Sequence, residues 1–543
     1  MQPPDHDLRD ALLDPASYPW RPATVECIDT HVSRIFLAGD RVVKIKRPVE
    51  LGFIDLRRAD ARHAACVAED TLNRRLTEGV YLGLAAITRR PGGVRVGGDG
   101  ARLETAVVMR RLPESHMLDR MIERGAVPPD AADRIADRLI PFYRSTARCG
   151  PSGAAACAGA QVRVVRENVA QIAGLPRIAG CGLLQDLIAE SVGLGIRSLD
   201  PLLRLRCSEG WVRDGHGDLR AEHVCLEPGR PPQLFDCLEF APSLRCADVA
   251  SDLAFLLMDL HRRGAASLAD AILGNCRRGG ISLPDPLLRF YATHRALVRI
   301  KVGLIEQAEG LRGGGREIAG CLDEAAAASL DTRPVLVIVS GLSGSGKSLA
   351  AGRIARAFGL AAHSSDEVRQ VLVPERDPEL RYRPDRVALV YDELFRRAAA
   401  DLATGRPALL DATFLGAAER ERAASVARDH RVPLIVAEVE ASDATALRRI
   451  RSRAASGASM SDADEAVHAG QRERVRRFPP AMPDGAFPAT IDNEADGPPP
   501  LDPVAAALRA AGVLRGAFQE AGGHWRAGGD QPPSCAPNSL PTR

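Results

Sequence analysis

Pro334-Val-Leu-Val-Ile-Val-Ser340-Gly341-Leu-Ser-Gly-Ser-Gly346-Lys347-Ser348-Leu-Ala-Ala351 is the stretch on which the reading of this chain turns. Its first half is a short apolar run rich in β-branched residues, the pattern of a buried strand. An alanine-rich helical pattern follows the glycine turn. Strand, glycine-rich loop and helix in that order form the context a phosphate-binding loop requires. Glycines let the backbone turn tightly and aim its N–H groups at phosphate oxygens, at the positive end of the new helix. Gly341, Ser343, Gly344, Ser345 and Gly346 then cradle the phosphates. Lys347 reaches the β- and γ-phosphates, and the Ser348 hydroxyl holds Mg²⁺. The pattern predicts an ATP site; the competing reading is a flexible glycine–serine loop.

Working outward, 543 residues are too many for one core, so two or three domains are expected. An apolar content of 45% is that of a folded globular protein. A net charge of +2 argues against a nucleic-acid partner or an anionic membrane surface. The sequence holds no apolar run of membrane-spanning length, and Met-Gln-Pro-Pro-Asp-His-Asp does not read as a signal peptide, so a cytoplasmic protein is expected. The twelve cysteines include no C-x-x-C pair, which indicates neither a zinc site nor a disulfide framework. The oligomeric state is not legible. More informative is a bias among the 72 basic residues: only Lys44, Lys46, Lys301 and Lys347 are lysine, and the other 68 are arginine. Surviving lysines mark places where a compact ammonium does what a planar guanidinium cannot, unless they survive by chance.

Residues 1–22 are proline-rich and acidic and read as a loosely held arm. From Thr24, two alternating strands around Gly39-Asp40 read as a β-hairpin. Lys44 and Lys46 stand two apart on its second strand and so share a face. A helical pattern from about Arg57 to Leu76 carries Glu69, and strands follow near Tyr81 and Glu104. This order is that of a protein-kinase small lobe, where the lysine grips the nucleotide phosphates and pairs with the helix glutamate. The glycine-rich kinase loop is absent, and a solvated lysine pair is the alternative. Met117 to Val212 is helical in pattern, broken at Cys149–Ala160. Next stands Gly215-His216-Gly217-Asp218-Leu219-Arg220-Ala221-Glu222-His223, and eighteen residues beyond Asp218 lies Asp236, in a short apolar strand. Phosphoryl transfer needs one carboxylate for the hydroxyl proton and another to hold Mg²⁺.

With His216-Gly-Asp-Leu, Phe235-Asp236 and Asp248…Asp252-Leu-Ala, the chain resembles the aminoglycoside phosphotransferase branch of the protein-kinase-like fold. With Arg41-Val-Val-Lys-Ile-Lys-Arg-Pro48 and the P-loop added, it resembles bacterial fusions of such a domain to a P-loop kinase, described as bifunctional phosphotransferase/ATP-binding proteins. The resemblance covers roughly residues 24–310 and 333–497. It implies Asp218 as catalytic base, Asp236 as the main Mg²⁺ ligand, Lys44 as the phosphate-gripping lysine with Glu69 as its ion-pair partner, and Met109–Leu112 as the hinge that adenine contacts. The sequence departs from the family five residues after the base, where His223 replaces a metal-binding asparagine. A neutral imidazole can ligate a divalent metal, though it suits softer ions than Mg²⁺. His216 reads as a structural loop histidine. Arg295, Arg299 and Lys301, on a long helix from Pro284 to Glu309, form either a solvated face or a basic wall of the substrate cleft. Gly310–Pro334, with its Arg-Gly-Gly-Gly run, reads as the interdomain linker.

Beyond it strand and helix alternate, the rhythm of a parallel sheet with crossover helices, whose ligands bind past the carboxyl ends of the strands. Two acids fall there. Asp411, in Ala-Leu-Leu-Asp411-Ala-Thr413, fits a Walker-B-like Mg²⁺ contact. Asp366 and Arg369, a D-x-x-R, face one way at a helix start. This looks like the D-x-x-R of small P-loop kinases acting on hydroxyls, where the aspartate deprotonates the acceptor and Arg369 lies on its binding wall; helix N-capping is the alternative for Asp366. Arg448, Arg449, Arg451 and Arg453 crowd one helix and resemble a kinase lid, with Arg449 and Arg453 as candidates to contact the transferring phosphate, or else form a charged face.

The expected architecture is thus an α+β kinase-like two-lobed domain over residues 23–310, a linker over 311–333, an α/β P-loop domain over 334–515, and a disordered tail from 516. The expected activity is ATP- and Mg²⁺-dependent phosphorylation of a hydroxyl on a small molecule. The rivals are a regulatory ATPase with a degenerate sensing domain and a polynucleotide 5′-hydroxyl kinase.

Overall fold

The alternating segments after Thr24 form a six-stranded antiparallel sheet in the order Val25–Asp29, Ser33–Ala38, Arg41–Lys46, Arg102–Arg110, Tyr81–Arg90, Gly93–Val96. The structure is a computed structural model and describes residues 5–51, 54–308, 310, 314–373, 383–456 and 464–518. Ala38 pairs with Arg41 across a two-residue turn in which Gly39 has φ 71°, so the hairpin falls where Gly39-Asp40 placed it. Period-two alternation then separates the faces. Phe36, Val43, Ile45 and Ile87 bury on one side, and Lys44 and Lys46 turn to the other, beneath the helix Ala59–Asn73.

The first face also explains why residues 5–22 are not the loose arm that the composition of residues 1–22 suggests; residues 1–4 lie outside those described. Asp5–Leu13 is a helix, Leu12 and Tyr18 are buried against the sheet, and the Tyr18 hydroxyl donates to Leu12 O at 2.6 Å. A few apolar residues in an acidic stretch suffice once a sheet face is there to receive them.

The second lobe is helical, and its central helices Val249–Arg262 and Asp285–Ala308 are buried along much of their length. The break expected at Cys149–Ala160 is shorter than its composition implied: the helix Ala154–Ala173 begins inside it. A disulfide joins Cys149 to Cys246 with Cα atoms 5.9 Å apart, correcting the expectation of none. Its partners are 97 residues apart, a separation that no local spacing rule registers.

The expected linker is the largest departure. Gly315–Ser329 is a helix, with Ile318, Leu322, Ala325 and Ala326 buried, and Leu330–Thr332 is a strand paired with Leu514–Gly516. The Arg-Gly-Gly-Gly run is the break; the alanine-rich segment after it packs on the helix Asp285–Ala308. That pairing and the burial of Phe518 also bring the first residues of the expected tail into the fold; residues 519–543 lie outside those described.

The five-stranded sheet that follows is parallel throughout, ordered Ala361–Ser364, Ala408–Asp411, Leu336–Ser340, Leu434–Glu440, Phe487–Asp492. The P-loop strand is central and every one of its residues is buried, as a sheet covered by helices on both faces requires. Among the described residues no helix is long and apolar enough to cross a membrane.

Candidate functional site

Two clusters of charged side chains lie where the sequence places them. In the first, Lys44 bridges two carboxylates: its Nζ is 2.8 Å from Glu69 Oε1 and 2.6 Å from Asp236 Oδ1. Burial alone would lower the ammonium's pKa, but Asp236 and Glu69 hold it well above the usual range. The same pairing holds Asp236 far below the ordinary carboxylate range against the opposing effect of burial, with His223 adding to it. Asp236 sits in left-handed backbone at φ 64°, an uncommon place for a residue with a side chain. Its second oxygen lies 3.6 Å from His223 Nε2.

Asp218 follows on the loop between Val212–Asp214 and the turn Ala221–His223. Arg220 clamps it through two bonds, Nε to Oδ1 at 3.1 Å and Nη2 to Oδ2 at 2.9 Å. Burial opposes ionisation, yet Arg220 and His223 keep Asp218 charged far below neutral pH. His223 Nδ1 meets the Asp218 carbonyl at 2.7 Å, so Nδ1 carries the proton, and Arg220 Nη2 faces Nε2 at 3.4 Å. The loop itself is held from below: the Asp252 carboxylate accepts from His216 N at 2.6 Å and Gly217 N at 2.7 Å. His216 is fully buried, with Nε2 on Phe235 O at 3.0 Å, which ties the Asp218 loop to the segment carrying Asp236; that segment leaves the strand at Leu234, so Asp236 lies just past the strand expected to hold it.

The basic wall is not assembled. Arg295 is buried and donates to Gly217 O at 3.0 Å, Arg299 pairs with Glu317 at 2.7 Å, and Lys301 bonds Gln171 at 2.9 Å. Arg295 is thus held in the interior, Lys301 is bound at the surface, and Arg299, though paired with Glu317, adds to the charges that lower the Asp218 pKa. Of the expected hinge, Arg110 forms a two-bond pair with Glu227, and Arg111 N donates to Asp40 O at 2.8 Å.

In the second cluster, the loop Gly341–Gly346 leads into the helix Lys347–Phe358. Gly341 N meets Thr413 O at 3.3 Å. Gly344 and Gly346 have φ 84° and 86°, and both are crowded: a Cβ on Gly344 would stand 2.6 Å from Ala446 O, and one on Gly346 would strike the Asn493 amide. Ser343 is gripped on both sides, its N–H donating to Gln471 Oε1 at 2.8 Å and its carbonyl facing His468 Nδ1 at 2.7 Å. The Ser345 carbonyl accepts from Asn493 Nδ2 at 2.7 Å and Arg449 Nη1 at 3.3 Å. Gln471, His468 and Asn493 escaped the sequence reading, because no local pattern couples them to a loop more than 100 residues away.

Asp411 ends its strand beside Lys347 and Ser348. It is buried, and its Oδ1 has no hydrogen-bond partner among the described residues. Burial raises its pKa, and nearby Asp366 and Glu367 add to the effect while Lys347 and Ser348 oppose it. A hard divalent cation beside Ser348 would satisfy this oxygen, so the donor set fits Mg²⁺. The N-cap of the next helix is Ser364, whose hydroxyl accepts from Asp366 N at 3.2 Å, so the Asp366 carboxylate does not cap the helix and pairs with Arg369 Nη1 at 2.7 Å. On the helix Asp443–Ser456, Arg448 pairs with Asp496 at 2.7 Å and Arg451 with Glu465 at 2.8 Å. Arg449 supports the P-loop backbone instead of closing over it. Arg453 is half-buried on the same helix. Part of the expected lid, residues 457–463, lies outside those described.

Residues 336–478 match the AAA domain family AAA_33. The uncharacterized protein Rv2004c of Mycobacterium tuberculosis (strain ATCC 25618 / H37Rv) is 33% identical over 399 residues, which cover 72% of this chain and 78% of that protein. This chain belongs to that protein's family. This chain joins a two-lobed, kinase-like domain to a P-loop domain, the arrangement expected from the motifs. Among solved structures, a putative kinase of Chloroflexus aurantiacus is 25% identical, covering 30% of this chain and 86% of its own at a TM-score of 0.25. The GDP complex of wild-type aminoglycoside 2′-phosphotransferase-IIIa is 16% identical, covering 60% and 98% at 0.32. The fold of this family member rests on its strand order and contacts, described above.

Proposed function

We propose that the chain is an ATP- and Mg²⁺-dependent phosphotransferase that acts on a hydroxyl of a small molecule and carries two nucleotide sites. The observation that supports this most is the orphaned Asp411 oxygen beside Lys347 and Ser348, at the carboxyl end of a parallel strand. Ser348 and Asp411 would hold Mg²⁺ at the P-loop, and Asp236 with His223 would hold it in the first lobe. There the ion would neutralise charge on the phosphates. Asp366, steadied by Arg369, accepts the acceptor's hydroxyl proton at the P-loop site. Asp218 does so at the kinase-like site, where it stays ionised at neutral pH and orients the hydroxyl. Lys44 donates to Asp236 and lies in ion-pair contact with Glu69, so its ammonium keeps donor capacity for a phosphate oxygen. The Met109–Leu112 strand end would take the adenine.

The test uses full-length Lys347→Ala, Asp218→Asn and the double variant, with ADP release measured against a panel of small alcohols. Each single variant should lose one acceptor-stimulated activity by about 10³-fold or more and keep the other, and the double should lose both. Full ATP turnover that no acceptor stimulates would replace this reading with a regulatory ATPase.

A further inference from the structure

The two lysines of the strand Arg41–Lys46 are not equivalent. Lys46 is 2% exposed. Its ammonium meets Glu69 Oε2 at 2.6 Å, Ser33 Oγ at 3.4 Å and Glu239 Oε1 in a short contact. The ammonium thus donates to Ser33 and Glu239 and faces Glu69 as an ion pair, arranged around a point in a way a planar guanidinium cannot reproduce. Glu239 stands three residues after Asp236, so Lys46 grips the far end of the segment that carries the cleft carboxylate. The segment is pinned elsewhere too: Cys237 N donates to Asn73 Oδ1 at 2.8 Å and Leu238 N to His216 O at 2.9 Å. A left-handed Asp236 persists only where its surroundings over-determine it. Asp236, Lys44, Glu69, Lys46 and Glu239 then form one unbroken chain of alternating charge, from the cleft to the interior.

We propose that Lys46 is a positioning residue of the kinase-like site. Through Glu239 it fixes the angle of the Asp236 carboxylate toward a divalent cation, and through the second oxygen of Glu69 it holds the partner that aligns Lys44. This rests on the reading of Asp236 as the cation ligand.

The experiment measures Mg²⁺-dependent binding of a fluorescent, non-hydrolysable ATP analogue to full-length Lys347→Ala protein, so that only the kinase-like site reports. Adding Lys46→Met should raise the half-saturating Mg²⁺ concentration about tenfold, the usual effect of losing a partner that orients a metal ligand. Lys46→Arg should do nearly the same although the charge is kept. Glu239→Gln, a milder change that retains a polar partner, should shift it less and serves if Lys46→Met does not fold. A pair with a purely structural role would lower the melting temperature and leave the Mg²⁺ dependence of the folded protein unchanged; that result overturns the proposal alone. If the Lys347→Ala parent binds no nucleotide at any Mg²⁺ concentration, the reading of the site falls and the proposal with it.

Discussion

His294 shows how a single side chain in this fold ties stability to pH. It is 4% exposed on the helix Asp285–Ala308, and its Nδ1 has no hydrogen-bond partner among the described residues. Burial, aided by Arg295 and Lys301, pushes its pKa from 6.5 down to about 3. The folded state therefore refuses a proton that the unfolded chain accepts. Its contribution is complete above about pH 6.5 and is lost as the pH falls toward 3, at about 1.4 kcal/mol per unit. Between pH 7 and 4.5 the cost is on the order of 2–3 kcal/mol, and His294→Leu should remove that part of the acid sensitivity. Urea unfolding of both proteins at the two pH values checks this; equal losses would show that His294 contributes nothing. No pattern in the sequence marks this histidine, whose environment is made by distant helices. The structure gathers Lys44 and Asp236, singled out through the family resemblance, into one cluster beside Asp218, and sets Lys347 and Asp411, singled out by motif, together in the other. Glu239 lies three positions from Asp236 in the same short segment, yet only its long-range contact with Lys46 gives it meaning.

At the scale of elements, the helix Gly315–Ser329 carries the most consequence. Glu317 near its start pairs with Arg299 of the kinase-like domain at 2.7 Å. Two turns on, Asp323 takes two bonds from Arg353 of the P-loop helix, at 2.7 and 3.1 Å, with both side chains buried. Burial raises the Asp323 pKa despite its partner, so this ion pair carries a large desolvation cost. Breaking it with Arg353→Met should cost about 3–5 kcal/mol by stranding a buried carboxylate, while Arg353→Met with Asp323→Leu should restore most of that. Denaturant midpoints of the three proteins decide it; a double variant no better than the single would show that packing, not charge, holds the helix. Arg-Gly-Gly-Gly is a strong break signal, so the sequence predicts a linker here. The signal is real but short, and the alanine-rich run after it has a helical period whose partner faces are visible only in three dimensions. Strand and helix alternation in the P-loop domain, by contrast, is repeated often enough to be read directly.

Across the whole molecule, apolar packing does not respect the boundary between the two nucleotide sites. One buried cluster runs from Leu253 and Leu297 through Leu322 and Ala326 to Ile354 and Phe358, and on to Val504 and Phe518. Phe518 packs edge-on against Phe290, their ring centroids 5.9 Å apart. Leu330–Thr332 pairs with Leu514–Gly516, and the Asp502 carboxylate accepts from Leu183 N and Leu184 N at 3.1 and 3.0 Å. Chain from the far side of the P-loop domain thus returns to complete the kinase-like one. Severing the chain between these halves removes partners from both, since neither can bury the shared face alone. Residues 1–310 and 314–543, expressed separately, should therefore aggregate or bind a hydrophobic dye, and co-expression should recover a soluble complex. The intact chain should melt in a transition that carries this shared core as one unit. Two soluble halves, each melting cooperatively at the temperature of the parent, would mean that the buried face contributes little, and that the two sites are joined by the chain alone.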